Sequence, residues 1–593
     1  MIVDPNKVSD GFASLERGMD SGGNPSLLAH NQAAYAENIT FRRGYAATRP
    51  GFRRINILPG ADASALVGAL FQGAEFYEDS AGRGRIMVMT GGRLFSVSVT
   101  GDKAGVSDAS IPGDTNPANV QSAYMTQADN YMIVQDGLSR PIIYDGATAR
   151  RAGADEVPTG SGPMAYGMGR LWVAQGREYV AGDIAGGPTG VLKFTENDYL
   201  AEGGSFAVPL HSGPITAMRF TSALNTALGQ GELLVFTPDA VYSTVVPTDR
   251  TVWKELSDPV QRIALINYGA LGHFSTEPVN GDVFFRARDG IRSLVLAIRD
   301  FTMPGATSLS REVGRILDYD TPSLTQFSSA SLFDNRLLLT ATPAMRAGRG
   351  VAFGGLIALD FDLLSSMGTK SPAAYDGVWK LSVTRGGATV PVEFLRLVKG
   401  RFDGVERCFA FCTAGSGLLE LWEVTARDRF DTDIADDGVL VDSRIRAVLE
   451  TGSYNFNQIG ASKMLESADL WVDRVAGTVD FDLDFRPDQH PCWVDWRGWQ
   501  VCGNYKDCGP STNCEPVTYE EQYRPRMRVS QPPDAIEPGA NKPYRLGWEF
   551  QARIAWTGHA RLKMLRLNAY ATQEEPFADV SALEPCQTIT CTC

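Results

Sequence analysis

The sequence predicts a mainly β fold, a β-propeller preceded by a short N-terminal segment and followed by a C-terminal β-sandwich or platform domain. Two patterns and a length carry that expectation. Between about residues 60 and 430, short runs of alternating apolar and polar residues are separated by tight-turn residues, the signal of strands joined as hairpins. A loose recurrence runs through the same stretch: a turn residue, an arginine, a large apolar residue and then a strand, at Gly92-Arg93-Leu94-Phe95, Gly169-Arg170-Leu171-Trp172, Asn335-Arg336-Leu337-Leu338 and Gly400-Arg401-Phe402. With 593 residues, the chain is well beyond the ~250–300 at which a single core stops growing, so more than one domain is expected.

Residues 1–59 form the first segment. Asn24 as cap and Pro25 at the first helical position predict a short helix through Leu27, Leu28, Ala34 and Tyr35, turning extended at Ile39-Thr40-Phe41. Residues 60–427 are the propeller. Its hairpins are signalled by Gly91-Gly92 between Ile86–Met89 and Leu94–Val99, by Asp289-Gly290 between Val283–Ala287 and Ile291–Leu296, and by Thr237-Pro238-Asp239-Ala240 between Leu233–Phe236 and Val241–Val246. Small four-stranded sheets of ~40–60 residues arranged radially would give this rhythm and protect their own edges, in five or six blades. A stack of β-sandwiches would show the same turns. One short helix is expected at 310–317, with Ser310 as its N-cap. After Trp422 the aspartates 428, 431, 433, 436, 437 and 442 read as a solvated boundary to a third unit, 428–593, in which 470–473, 479–485, 548–554 and 562–569 alternate in period two.

Composition narrows the function. Lys+Arg 55 against Asp+Glu 69 gives a net charge of −14, which disfavours an overall electrostatic grip on nucleic acid or anionic lipid. The start Met1-Ile2-Val3-Asp4-Pro5 lacks the basic and apolar regions of a secretion signal, and the apolar runs are far below the ~18–20 residues of a membrane span, so folding in the cytosol is expected.

No catalytic, cofactor or metal site is predicted. The hydrolase elbow Gly-x-Ser-x-Gly and the phosphate-cradling Gly-x-x-x-x-Gly-Lys-Ser/Thr are absent, and His30, His211, His273, His490 and His559 are scattered singly. Asp431-x-Asp433-x-x-Asp436-Asp437 clusters carboxylates as calcium sites do, but lacks the closing bidentate Glu and reads as an acidic linker. Seven of the nine cysteines follow residue 490. Cys492, Cys502, Cys508 and Cys514 lie too far apart for zinc pairs and read as a loop, 490–515, open to disulfide formation, with Cys586, Cys591 and Cys593 as a tail able to pair with it under oxidising conditions. Cys408 and Cys412, four apart on a predicted strand, share one face and read as buried thiols.

The first fifty residues carry a resemblance. Arg17-Gly18-Met19-Asp20-Ser21-Gly22-Gly23-Asn24-Pro25-Ser26-Leu27-Leu28, then Gln32, Asn38 and Gly44-Tyr45-Ala46-Ala47-Thr48-Arg49-Pro50-Gly51 resemble the opening of the tail nozzle (tail tubular protein B-like) proteins of short-tailed double-stranded DNA phages. Arg140 to Gly146, Met164 to Ala174, Gly547 to Ile554 and Trp556-Thr557-Gly558 look like later stretches of that family. Asn24 stands where the family has Ser, and the cysteine-rich insert is a departure. The resemblance implies a virion structural protein of the tail, assembled in the host cytoplasm. It would form a homohexamer below the tail adaptor, seat tail fibres or spikes, meet the host envelope indirectly, and let double-stranded DNA pass without specific binding. Residues 18–51, too short and glycine-rich to bury a core alone, are expected at an interface with the upper ring or a neighbouring subunit, with Gly18, Pro25, Leu27, Asn38, Arg49 and Pro50 as its residues. The alternative is a β-propeller tail fibre or lectin-like protein that binds or hydrolyses glycans.

Overall fold

A computed structural model describes residues 6–184, 189–195, 205–221, 231–247, 249–256, 258–263, 268–279, 281–294, 308–346, 350–363, 374–435, 438–504, 526–536 and 542–572. Five separate antiparallel meanders make the blades of a propeller: residues 71–108, joined by Asn56–Ile57 in parallel against Lys103–Ala104, then 124–151, 164–207, 217–262 and 277–293. Each blade is built by local turns. Gly91 and Gly92, both at positive φ, join Gly84–Thr90 to Arg93–Thr100. Thr237 donates its N–H to Ala240 O (2.9 Å), so Phe236 pairs with Val241. At Asp289-Gly290 the hairpin is one residue tighter than the sequence suggests, since Gly290 already pairs with Ala287.

The innermost strands Phe71–Glu78, Tyr124–Ala128, Met164–Gly167 and Ala217–Phe220 touch in succession. The turn His273–Ser275 connects the last of these to the fifth blade and to Ala330–Phe333, while Ala388–Phe402 touches both Ala330–Phe333 and Phe71–Glu78. The ring therefore closes, and strands of a large curled sheet complete it. Closure is stapled by the N-terminal chain, because Phe52–Arg54 adds antiparallel to Leu419–Val424 immediately before Asn56–Ile57 joins the first blade.

The large sheet is built around two unusually long strands, Lys463–Pro487 and Phe550–Ala571, paired from Lys463↔Ala571 to Pro487↔Phe550 with register shifts that let them bend. Lys7–Phe12 pairs with 565–570, Ala46–Ala47 with 561–562, and Ala33–Glu37 with 448–451. N-terminal, central and C-terminal stretches thus share one sheet. They also share one core, in which Phe12, Leu15, Met19, Ile39 and Phe41 pack with Leu465, Phe485 and Leu567. The C-terminal stretch is accordingly a curled sheet rather than the separate two-sheet sandwich its periodicity suggests.

Two expected helices are curtailed. Asn24 does cap, its Oδ1 accepting from Ser26 N at 3.1 Å, but the turn is 3-10 and ends at Leu27, because Ala33–Glu37 is claimed as a strand by 448–451. At 310–317 a 3-10 turn, Arg311–Val313, runs into a single α turn, Gly314–Leu317. Ser310 does not cap it; its Oγ accepts from Ile291 N (3.0 Å) instead.

Across the long strands, Asp469, Asp473 and Asp484 stand opposite or beside Arg566, Arg561 and Arg553. Burial works against the Asp469 charge, yet hydrogen bonds from Arg528, Arg566 and Asn568 outweigh it and hold the carboxyl below its usual range. Its contribution to stability is therefore complete above the unfolded value of ~3.9 and disappears as pH falls through the lower folded value. Asp469→Asn is expected to cost about 2 kcal/mol at pH 7, the weight of charge-assisted hydrogen bonds. Urea midpoints measured from pH 7 to 3 should show that deficit constant down to about pH 5 and shrinking below about pH 4; a deficit that grows on acidification contradicts the pairing.

Candidate functional site

Residues that carry the N-terminal pattern are built into the large sheet, a few positions before the chain joins the first blade at Asn56–Ile57. Arg49, 0% exposed, uses all five of its N–H donors. Nε donates to Asn38 Oδ1 (2.9 Å), one Nη to Asp431 Oδ1 and Pro50 O (both 2.8 Å), and the other to Asp431 Oδ2 (2.8 Å) and Lys380 O (2.7 Å). Its guanidinium lies 4.4 Å from the Phe52 ring centre. Asn38, at φ 56, receives Lys380 N on the same Oδ1 (2.7 Å) and donates to Arg446 O (2.9 Å). One buried side chain thereby ties residues 38, 50, 380 and 431 together. Two glycines allow close backbone approach in the same sheet: a Cβ at Gly51 would stand 1.8 Å from Phe430 O, and Gly18, at φ +67, lets its backbone pass Tyr375 O.

Asp431 and Asp433 are not a solvated linker, contrary to the sequence reading; they are 3% and 5% exposed because arginines distant in sequence reach them. Asp433 accepts from Arg385 Nε (2.8 Å) and Arg54 Nη1 (3.1 Å), and Arg385 also clasps Glu420 at 2.6 and 3.1 Å. Burial opposes the Asp433 charge, but these donors and Ile434 N hold its pKa down. Asp436 and Asp437 lie outside the described residues. Nothing in the linear sequence marks Arg385 or Glu420 as partners.

Of the six expected interface residues, Gly18, Asn38 and Arg49 are buried in contacts within the chain, and Pro25 and Pro50 are half-buried. Leu27 is 84% exposed, on the turn capped by Asn24. Cys492 is disulfide-bonded. Cys502, on the strand Val494–Asn504, faces outward as a free thiol, 3.8 Å from Thr478 Oγ1. Cys508 and Cys514, like Cys586, Cys591 and Cys593, lie outside the described residues. Cys408 and Cys412 are buried on Val405–Thr413, and burial pushes the Cys408 thiol up to about 12.

Among the described residues no group of three His, Cys, Asp or Glu side chains is placed to hold a metal ion, and no helix is long and apolar enough to cross a membrane. The surface offers two larger features. A groove of about 1010 Å³ runs past Arg53, Phe402, Arg427 and Asp442. Beside it the strand Leu440–Ser443 pairs with Asp431–Ile434, with Leu440 50% and Val441 44% exposed.

No protein-family model matches the chain, and no curated protein does. Solved structures share a loose likeness. One is PorZ, a bacterial surface component of the type-IX secretion system of Porphyromonas gingivalis, at 12% identity and TM-score 0.31, over 67% of this chain and 44% of that one. Another is the extracellular domain of the putative hybrid two component system BT4673 from B. thetaiotaomicron, at 9% and 0.33, over 85% and 63%. A third is virginiamycin B lyase from Staphylococcus aureus, at 9% and 0.29, over 63% and 99%. The chain thus spans less than two thirds of the first two, and at such scores these likenesses carry no functional inference.

Proposed function

We propose that the chain is a structural subunit of a phage tail, a nozzle protein that forms a hexameric ring below the tail adaptor, supports fibres and conducts double-stranded DNA. The observation that carries this reading is the N-terminal pattern, read together with the place its residues occupy. Gly18, Asn38, Arg49 and Gly51 each meet a steric or charge requirement of the packing inside the large sheet, so the pattern is tied to how the fold is built. The exposed Leu27 and the strand Leu440–Ser443 are surfaces such a subunit would present to neighbours.

Charge supports the conducting role. A net −14 per chain is repeated in every copy of a ring, and DNA carries one negative charge per ~1.7 Å of axis. An acidic or neutral wall lets DNA slide, whereas a basic wall would hold it by counterion release. Arg42, Arg53 and Arg54 are occupied by Asp334, Asp428 and Asp433 of the same chain, while Arg43 is exposed.

The expected result is that the purified chain sediments as a six-subunit particle, leaves duplex DNA unretarded in a gel shift at physiological salt, and releases no reducing sugar from host envelope preparations. Retardation of DNA by the assembled ring contradicts the conducting role. A monomer or trimer that liberates sugar, with the release abolished by one carboxylate change, favours a glycan-acting fibre instead.

A further inference from the structure

Where the inner strands of the propeller converge, a cavity of about 200 Å³ collects charged side chains from separate parts of the fold: Glu75, Arg219, Glu277, Arg396 and Lys399, with Ser331 beside them. The charges do not cancel. Three cations face two carboxylates, and the contacts between them are loose: Arg396 lies 3.6 Å from Glu75 and Lys399 lies 3.7 Å from Glu277, both beyond hydrogen-bond distance. Arg396 is only 5% exposed, its guanidinium stacked 3.2 Å from the centre of the Phe274 ring. Arg219 is held by backbone, donating to Thr276 O (3.2 Å) and His273 O (3.4 Å). Glu277 is fixed by Leu332 N (3.1 Å). Beside Arg219 and Phe274, His273 is 3% exposed and its Nδ1 has no hydrogen-bond partner. Burial, with Arg219 and Arg396 nearby, pushes its pKa well down, so it adds no positive charge.

This is costly construction for a scaffold. A buried cation without a tight counterion is destabilising relative to an apolar side chain, and elsewhere in the chain comparable arginines, Arg49 and Arg385, sit in close carboxylate pairs. An anion from outside would complete the set. Volume and chemistry narrow its class. The cavity holds about six or seven water volumes, more than a bare phosphate fills. One net positive charge asks for one negative group. Glu75 and Glu277 would repel a second anionic group but accept from hydroxyls, as would Ser331.

We infer that the axial cavity is a binding site for a small polyhydroxylated monocarboxylate, a sugar acid of monosaccharide size, whose carboxylate meets Arg396 and Lys399 and whose hydroxyls meet Glu75, Glu277 and Ser331. The inference stands apart from the nozzle reading, since a subunit of any assembly can hold it.

The test is calorimetric titration of the full chain with D-glucuronate, D-glucose and inorganic phosphate, on the native protein and on Lys399→Gln. Lys399 is half-buried at the cavity edge, and its replacement is expected to leave the melting temperature unchanged. Saturable glucuronate binding, at least tenfold weaker in K399Q and absent with glucose, is the expected result. No binding of glucuronate, equal binding of glucose, binding of phosphate alone, or undiminished affinity in K399Q each overturns the assignment. The selectivity of the native protein decides the matter even if the variant does not fold. Loss of ring assembly would leave this result untouched, and the converse holds too.

Discussion

Arg49→Ala is expected to lower the unfolding free energy by about 3–5 kcal/mol, because it leaves Asp431, 3% exposed, without its counterion in the interior. The loss is a large part of the ~5–15 kcal/mol that a folded domain has available. It also takes one of two donors from Asn38 Oδ1, which keeps Lys380 N, and removes the guanidinium donors of the Pro50 and Lys380 carbonyls. Arg49→Lys would recover the charge but not the planar fork that satisfies five acceptors at once, so it should fall between native and alanine. The cause is separable from the size of the hole. Replacing Arg49 by Met together with Asp431 by Leu removes both charges at similar volume and should recover most of the loss. Urea unfolding of the three variants reads this directly, and a double variant no more stable than Arg49→Ala contradicts the charge account.

Deleting residues 1–54 should abolish the folded state altogether. The segment supplies Phe12, Leu15, Met19, Ile39, Phe41 and Phe52 to two cores, each 3% exposed or less, and burial of each is worth roughly 1.5–3 kcal/mol. It also leaves unpaired the strand edges at 448–451 and 422–424 that now hydrogen-bond to it, and open edges template aggregation. Soluble yield and near-ultraviolet circular dichroism check this. A soluble truncated chain with a cooperative thermal transition would show that the N-terminal strands are an accessory and not a component of the fold.

What was legible in the sequence is what local chemistry dictates. Gly91-Gly92 and Thr237-Pro238-Asp239-Ala240 specify turns within four residues, and the blades followed from such signals. The large sheet was not legible in the same way, because its pairings join residues such as 37 and 448 or 53 and 423, for which no local period exists. The same distance explains the misread aspartates. Asp431 and Asp433 look solvated among their neighbours in the chain, and only folding brings Arg49, Arg54 and Arg385 to them. The aborted helix after Pro25 is a case of tertiary pairing overriding a correct local cap. The axial cavity left no trace in the sequence, since Glu75, Arg219, Glu277 and Arg396 come from separate strands.

Electron microscopy of the purified chain tests the hexameric ring directly. Class averages with six-fold symmetry around an open central hole are the expected result, with residues facing the lumen richer in Asp and Glu than in Lys and Arg once the ring is resolved. Particles that remain monomeric or trimeric, or a ring whose lumen is lined mainly by Lys and Arg, would contradict the nozzle account.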